Sequence, residues 1–379
     1  MTADTLPMGP VYPWLAPLAG YSDLPFRLLC REHGAAVACT EMISAKGIVY
    51  GHAGRGATTE ALLSTTTQSC DSLLADMAAT DTPDVPLVAQ LFGAEAAYLE
   101  RAVAILAERG FRWFDLNMGC PVPKVRKCGA GAAMLRDIPN ALAAAKGMLR
   151  AAGPGKVGFK MRLGCRMAED AYLQLAAALE DLGAGWITLH PRYAEQGFSG
   201  RADWNAFIPL VRRLSIPVIA SGDLLTPEDG VRCIQETGVS GVMFARGAMA
   251  NPAIFEEYAA LLCGAAGQGG SGRVPPDARK VERIARRHAA LARQYAELSH
   301  SVRNIPSGVL KMRSFLPRYV RHFSGARHLR QQLCRCTSWE DLESLLSGFF
   351  RTTGLLHAGT SSNQLHFDIC CEEEKKGTP

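Results

Sequence analysis

Residues 112–121 read RWFDLNMGCP: a run of β-favouring residues closes on Asn117, and three positions later Cys120 stands between a glycine and a proline. Trp, Phe and Leu suit a buried strand, whereas Gly-Cys-Pro reads as a turn. The same form recurs along the chain. Short β-rich runs at WLAPLA (14–19), AVACTE (36–41), PLVAQL (86–91), RWFDLN (112–117), KVGFKM (156–161), WITLH (186–190), IPVIA (216–220) and GVMFA (241–245) are mostly separated by Ala/Leu-rich stretches such as 94–110 and 168–183. In those stretches apolar residues recur at helical spacing. Eight strand–helix units in roughly 250 residues predict an α/β protein built as a closed (β/α)8 TIM barrel, with polar strand ends gathered at one mouth. An open doubly wound sheet is the alternative, but no GxGxxG follows an early strand to support a dinucleotide-binding version.

The length of 379 residues allows one large domain and a smaller one. We expect the barrel over 13–263, a Gly/Pro-rich linker over 264–277 (GAAGQGGSGRVPPD), a basic helical domain over 278–350 and a flexible tail over 351–379. The overall charge of +5 is modest, yet residues 279–335 hold 14 Lys/Arg against two acids, a local +12 that leaves the remainder at −7. Such a concentration suits a phosphate-facing surface, while a solvated cap over the barrel is the alternative. Twelve cysteines occur without one CxxC pair, and Cys334-Arg335-Cys336 and Cys370-Cys371 lack companion ligands. Reduced thiols in a cytoplasmic protein are therefore expected. The N-terminus has neither a basic start nor a long apolar run, and no segment reaches the ~18 apolar residues of a spanning helix.

The predicted strand ends supply Gln90, Asn117 with Cys120, Lys160, His190 with Arg192, and the turns Ser221-Gly222-Asp223 and Ala245-Arg246-Gly247. Loops after the seventh and eighth strands of a barrel commonly bind phosphate through backbone N–H groups, and Arg246 adds charge-assisted bonds. Each turn could also be merely tight. Lys160 sits in an apolar strand, where an ammonium either snorkels to solvent or meets an electron-rich ring. Gln90 offers a donor and an acceptor to a heterocycle edge. His190 is either a satisfied barrel-end histidine or an imidazole beside a phosphate or ring carbonyl; no ligand set accompanies it to suggest a metal. Cys120 is either a bland thiol or one projected over the mouth by a rigid turn, with Lys124, Arg126 and Lys127 favouring the latter.

The segments APLAGYSDLPFR (16–27), VAQLFG (88–93), FDLNMGCPVPKVRKCGAGAAML (114–135), VGFKMRLG (157–164), TLHPRYAEQGFSGRADW (188–204), PVIASGDL (217–224) and GVMFARGAMANPAIF (241–255), in this order, resemble the bacterial-type tRNA-dihydrouridine synthase family. The resemblance implies an FMN-dependent barrel that reduces the C5=C6 bond of selected uridines in tRNA, with NADPH as usual reductant and NADH not excluded. On that pattern Pro17, Leu18 and Ala19 line the flavin, Gln90 and Lys160 address its polar ring, and His190 contacts its phosphate-bearing side. Ser221, Gly222, Asp223, Ala245 and Arg246 complete the ribityl and phosphate site. Cys120 takes the proton donor's place, and Asn117 and Arg192 those of substrate-binding residues. Leu18, Ser221 and Ala245 depart from the family's methionine, asparagine and glycine. A thiol with an ordinary pKa of ~8.5 is mostly protonated at neutral pH, as a general acid requires. The basic helices would grip structured RNA; no membrane or obligate protein partner is expected. The same reaction on ribosomal RNA, or flavin chemistry on a small metabolite, are the alternatives.

Overall fold

The structure, a computed structural model, describes residues 5–55, 83–167, 169–264, 277–299 and 308–357. Nine strand segments run in parallel: β1 (Trp14–Leu15), β2 (Val37–Cys39), β3 (Ile43–Ser44), β4 (Leu87–Phe92), β5 (Trp113–Met118), β6 (Val157–Arg162), β7 (Trp186–His190), β8 (Val218–Ala220) and β9 (Gly241–Phe244). β1 pairs with both β9 and β2, and β2 with β4, so eight staves close into a ring. All eight predicted strands appear. β3, which no sequence signal announced, prolongs the β2 stave: Ala38 opposes Leu87 but Ile43 opposes Leu91. One extra residue on that side makes a bulge, and Thr40 fills it by accepting the Gln90 N–H at 3.0 Å. β1 is shorter than predicted because Leu18 turns the chain, accepting the N–H of Tyr21 and of Ser22 at 2.9 Å each.

Alternation along the strands sorts the side chains into two cores. Leu15, Ala89, Phe114, Phe159, Leu189 and Phe244 face outward and join the core under the helices. Trp14, Val37, Val88, Trp113, Trp186, Ile219 and Met243 form a separate cluster inside the barrel, which Leu6 joins from the N-terminal segment. The barrel is therefore plugged with apolar side chains at the N-terminal ends of its strands. Two residues further along each strand the same inward parity delivers Gln90, Asp115, Lys160, Thr188 and Ser221. The interior grades from apolar to polar toward one mouth.

Helices Ala278–Ser299, Gly308–Tyr319, Ala326–Leu333 and Trp339–His357 follow the barrel. The last crosses residue 350, where the helical part was expected to end. Linker residues 265–276 and the tail beyond 357 lie outside the described residues. The helical unit docks against the first barrel helix, Leu24–Glu32, and the loop before it. Arg287 makes paired bonds to the Glu32 carboxylate at 2.6 and 3.0 Å, and Lys311 meets Asp23 at 3.0 Å. Between them Phe26, His288 and Phe315 stack with centroids 4.5 to 5.7 Å apart.

His288 is fully buried, its Nδ1 paired with the Tyr319 hydroxyl at 2.8 Å. Burial, the largest cause, lowers its pKa to about 4. The unfolded chain binds this proton below the ordinary ~6.5 while the folded protein does not until about 4. This contribution to stability is whole above pH ~6.5 and falls by about 1.4 kcal/mol per unit as the pH drops toward the folded value. Denaturant titrations at a series of pH values should show that His288→Asn flattens this dependence; an unchanged slope would contradict the assignment.

Candidate active site

A directional hydrogen-bond chain runs across the mouth. Asp115 accepts from Gln90 Nε2 at 2.7 Å, Gln90 Oε1 accepts from Asn117 Nδ2 at 2.9 Å, and Asn117 Oδ1 accepts the Cys120 N–H at 2.9 Å. The Asp115 oxygen facing Gln90 Nε2 accepts, and the Cys120 N–H at the other end can only donate, so the two ends together fix the orientation of both amides. The last link shapes the turn that carries Cys120. That turn is closed from behind: the Cys120 carbonyl accepts from Ala132 N at 3.0 Å, and Gly131, at φ +62°, lies so close that a Cβ there would come within 2.7 Å of the same carbonyl oxygen. Cys120 stands half-exposed beside this array.

Lys160 lies one strand over, opposite Asn117 on one side and Thr188 on the other. Burial lowers its pKa to about 8, with the Asp115 charge working the other way. Burial likewise pushes Asp115 up to about 7, opposed by the Gln90 amide and Lys160. His190 is held well below the ordinary histidine range by burial and then by the cations Lys160, Arg162, Arg192 and Arg246. It is a neutral imidazole. Its Nε2 lies 3.1 Å from Arg192 Nη1, and since a guanidinium only donates, Nε2 accepts and Nδ1 carries the proton.

The turn after β8 is organised by one carboxylate. Asp223, at φ +54°, accepts from Arg192 Nη1 and Nη2 at 2.9 and 2.7 Å, from Arg246 at 2.7 Å and from Ala202 N at 2.8 Å. Burial alone would raise its pKa, but these donors hold it below the usual carboxylate range. Gly222, at φ +104°, passes so close to His190 that a Cβ would come within 2.5 Å of the ring. Ala245 begins the short helix Arg246–Ala250 that delivers Arg246 to the same turn.

Gln90, Asn117, Cys120, Lys160, His190 and both glycine- or alanine-containing turns thus meet at one mouth, with Pro17, Leu18 and Ala19 in the loop leaving β1. Arg192 differs in kind. It is 1% exposed, and beyond Asp223 its donors reach the carbonyls of Ser199 and Gly200 at 3.2 and 2.7 Å, so it fastens a loop to the Asp223 turn. Sequence reasoning passed over Asp115, Arg162 and Thr188. Strand parity could have found them: each lies two residues from an inward-facing residue that was identified.

Replacing Asp115 with Asn removes the charge that opposes the desolvation of Lys160. We expect the Lys160 pKa in Asp115→Asn to fall below its value of about 8; a nitrogen NMR titration of the ammonium that shows no shift would contradict the pairing.

The family model described as dihydrouridine synthase (Dus) matches residues 14–352. Among relatives, "Probable tRNA-dihydrouridine synthase 1" of Synechocystis sp. is 31% identical over 341 residues, 90% of this chain and 86% of that protein. "tRNA-dihydrouridine synthase B" of Xanthomonas campestris pv. campestris is 32% identical over 248 residues, covering 65% and 69%. Among solved structures, a morphinone reductase in complex with tetrahydroNAD superposes with a TM-score of 0.47 at 11% identity, over 68% of this chain and 88% of that one, a likeness that carries no further argument. With its barrel, its mouth and a match across nearly its whole described length, the chain belongs to the dihydrouridine synthase family.

Proposed function

We propose that this chain is a tRNA-dihydrouridine synthase that holds FMN, takes its electrons from NADPH, and saturates the C5=C6 bond of particular uridines in tRNA. The observation that carries the reading is the convergence, on one mouth, of the Asp115–Gln90–Asn117–Cys120 chain, the neighbouring Lys160 and the two phosphate-type turns. The residues present fit such a cofactor. Thr188 Oγ1 is buried inside the barrel and makes no hydrogen bond among the described residues, beside Lys160 in the strand register. A polar ring would satisfy that hydroxyl and the Lys160 ammonium together.

Gln90, Lys160 and His190 would hold the ring and its side chain against Pro17, Leu18 and Ala19, while Ser221, Gly222, Asp223, Ala245 and Arg246 would frame the phosphate. Bound and reduced, such a flavin would supply hydride chemistry toward uracil C6. The Cys120 thiol, half-exposed on its turn, would hold the proton that C5 takes up, which balances the hydride gained at C6. Asn117 holds the Cys120 turn, and the amide hydrogen it now gives to Met42 Sδ at 3.0 Å can be turned to the base instead. His190, neutral and donating only from Nδ1, orients a polar group without competing for the proton. NADH could serve as reductant by the same route. The cytoplasm holds the RNA and the reductant that this reaction uses.

The helical unit refines the RNA-binding part of the proposal. Of Arg283, Arg286, Arg287, Lys311, Arg313, Arg318 and Arg321, six are engaged within the protein: Arg286 with Glu282 and Glu343, Arg287 with Glu32, Lys311 with Asp23, Arg313 with the Cys336 carbonyl, Arg318 with the Ser314 carbonyl and Arg321 with the His322 ring. Arg327, Arg330 and Arg335, on and just beyond helix Ala326–Leu333, are exposed and make no ion pair among the described residues. They offer phosphates the better surface.

Incubating the protein with FMN, NADPH and unmodified total RNA, then mapping dihydrouridine by mass spectrometry, should find tRNA uridines that gain two hydrogens. Cys120→Ala should lower that rate by about 100-fold or more while keeping the flavin. Gain only in ribosomal RNA, or none despite reducible flavin, would overturn the substrate assignment. Changing Arg327, Arg330 and Arg335 together to Ala should weaken tRNA binding and flatten its dependence on salt; unchanged affinity and slope would remove that surface from the account.

A further inference from the structure

Phe198 is 61% exposed, although it sits in the loop after β7 that Arg192 ties to the Asp223 turn. Its backbone frame is fixed. Arg162 Nη1 donates to the carbonyls of Tyr193 and Gly197 at 2.9 and 2.8 Å, and Arg192 donates to those of Ser199 and Gly200. Two buried arginines thus hold the chain on both sides of one aromatic residue. The ring they present has the Arg246 guanidinium 4.9 Å from its centroid, that of Arg162 at 5.7 Å, and the His190 ring at 6.1 Å with 33° between planes. An apolar side chain left in water on a clamped loop forgoes the free energy of burial, which it recovers only when something covers it.

A π-face flanked by guanidinium groups is a stacking platform for a nucleobase. The site itself calls for one. The uridine whose edge is to be reduced has to leave its stack to reach the interior, and the bases on either side of it then lose a partner. Asn117 and Lys160 stand on neighbouring barrel strands with Cys120 on the turn after β5, and the extruded uracil would sit among them; Phe198 lies on the loop after β7. We infer that Phe198 stacks on a nucleobase adjacent to the extruded uridine, replacing the neighbour that base has lost. The inference rests on the proposed reaction with RNA and adds a contact to a second nucleotide.

The test compares flavin-loaded wild type with Phe198→Ala, Phe198→Leu and Phe198→Trp. With tRNA as substrate, Phe198→Ala and Phe198→Leu should raise KM about 10-fold or more, the scale of one lost base–aromatic stack. Phe198→Trp should restore it, and flavin content and the rate of flavin reduction by NADPH should stay the same in all. Independently of turnover, RNA carrying 2-aminopurine beside the mapped uridine should be quenched on binding wild type and Phe198→Trp but not Phe198→Ala. An unchanged KM and unchanged quenching in Phe198→Ala would overturn the inference. Loss of flavin, or a shifted flavin spectrum, in that variant would place the ring against the cofactor and overturn it equally. Should wild type itself form no dihydrouridine in tRNA, the proposed reaction falls and this contact falls with it, an outcome visible before any variant is made.

Discussion

A closed barrel obliges every second residue of every strand to point at its axis, where the space is small and water is excluded. The rest of this molecule follows from how the chain meets that requirement. At the N-terminal ends of the strands it spends its inward positions on Trp14, Trp113, Trp186 and aliphatic side chains, which close the barrel with an apolar plug. Higher up the same positions hold Gln90, Asp115, Lys160 and Thr188. None of these would be stable there alone, because an isolated buried charge or an unmet polar atom costs several kcal/mol. Asp115 is compensated by the Gln90 amide and the Lys160 charge, while the Thr188 hydroxyl is left with polar capacity directed at whatever enters the mouth.

Two carboxylates do most of the organising. Asp115 orients Gln90 and, through it, Asn117 and the Cys120 turn. Asp223 draws Arg192 and Arg246 to one point, tying the loop after β7, the turn after β8 and the start of the helix after β9 into a single unit. Arg192 also keeps the His190 ring in one tautomer, while burial and then the surrounding cations keep it uncharged. The mouth is consequently rich in positive charge without a protonated histidine, which suits an anionic group held near Arg246 and a charge that develops on a heterocycle near Lys160.

Much of this was readable in advance. The eight β-rich runs, each ending in a polar residue or a small-residue turn, carried both the barrel and the address of Cys120. What escaped was chiefly a matter of partners remote in sequence. Arg192 follows His190 closely, and its pairing with Asp223, 31 residues later, could not be read from the sequence. The basic stretch over 279–335 looks uniformly phosphate-facing because Glu32, Asp23 and Glu343, which neutralise part of it, lie outside that window. β3 escaped for another reason: a two-residue segment after a bulge has no period of its own to detect.

The central claim is that the polar upper layer of the barrel and the two turns beside it form one flavin site. A crystal structure of the protein grown with FMN tests it most directly. The account predicts the phosphate within hydrogen-bond reach of Arg246 and the turn at Ser221–Asp223, with the ring over Lys160 and Gln90 and its exposed face toward Cys120. A flavin bound elsewhere, or a mouth that stays empty at saturating FMN, would contradict it.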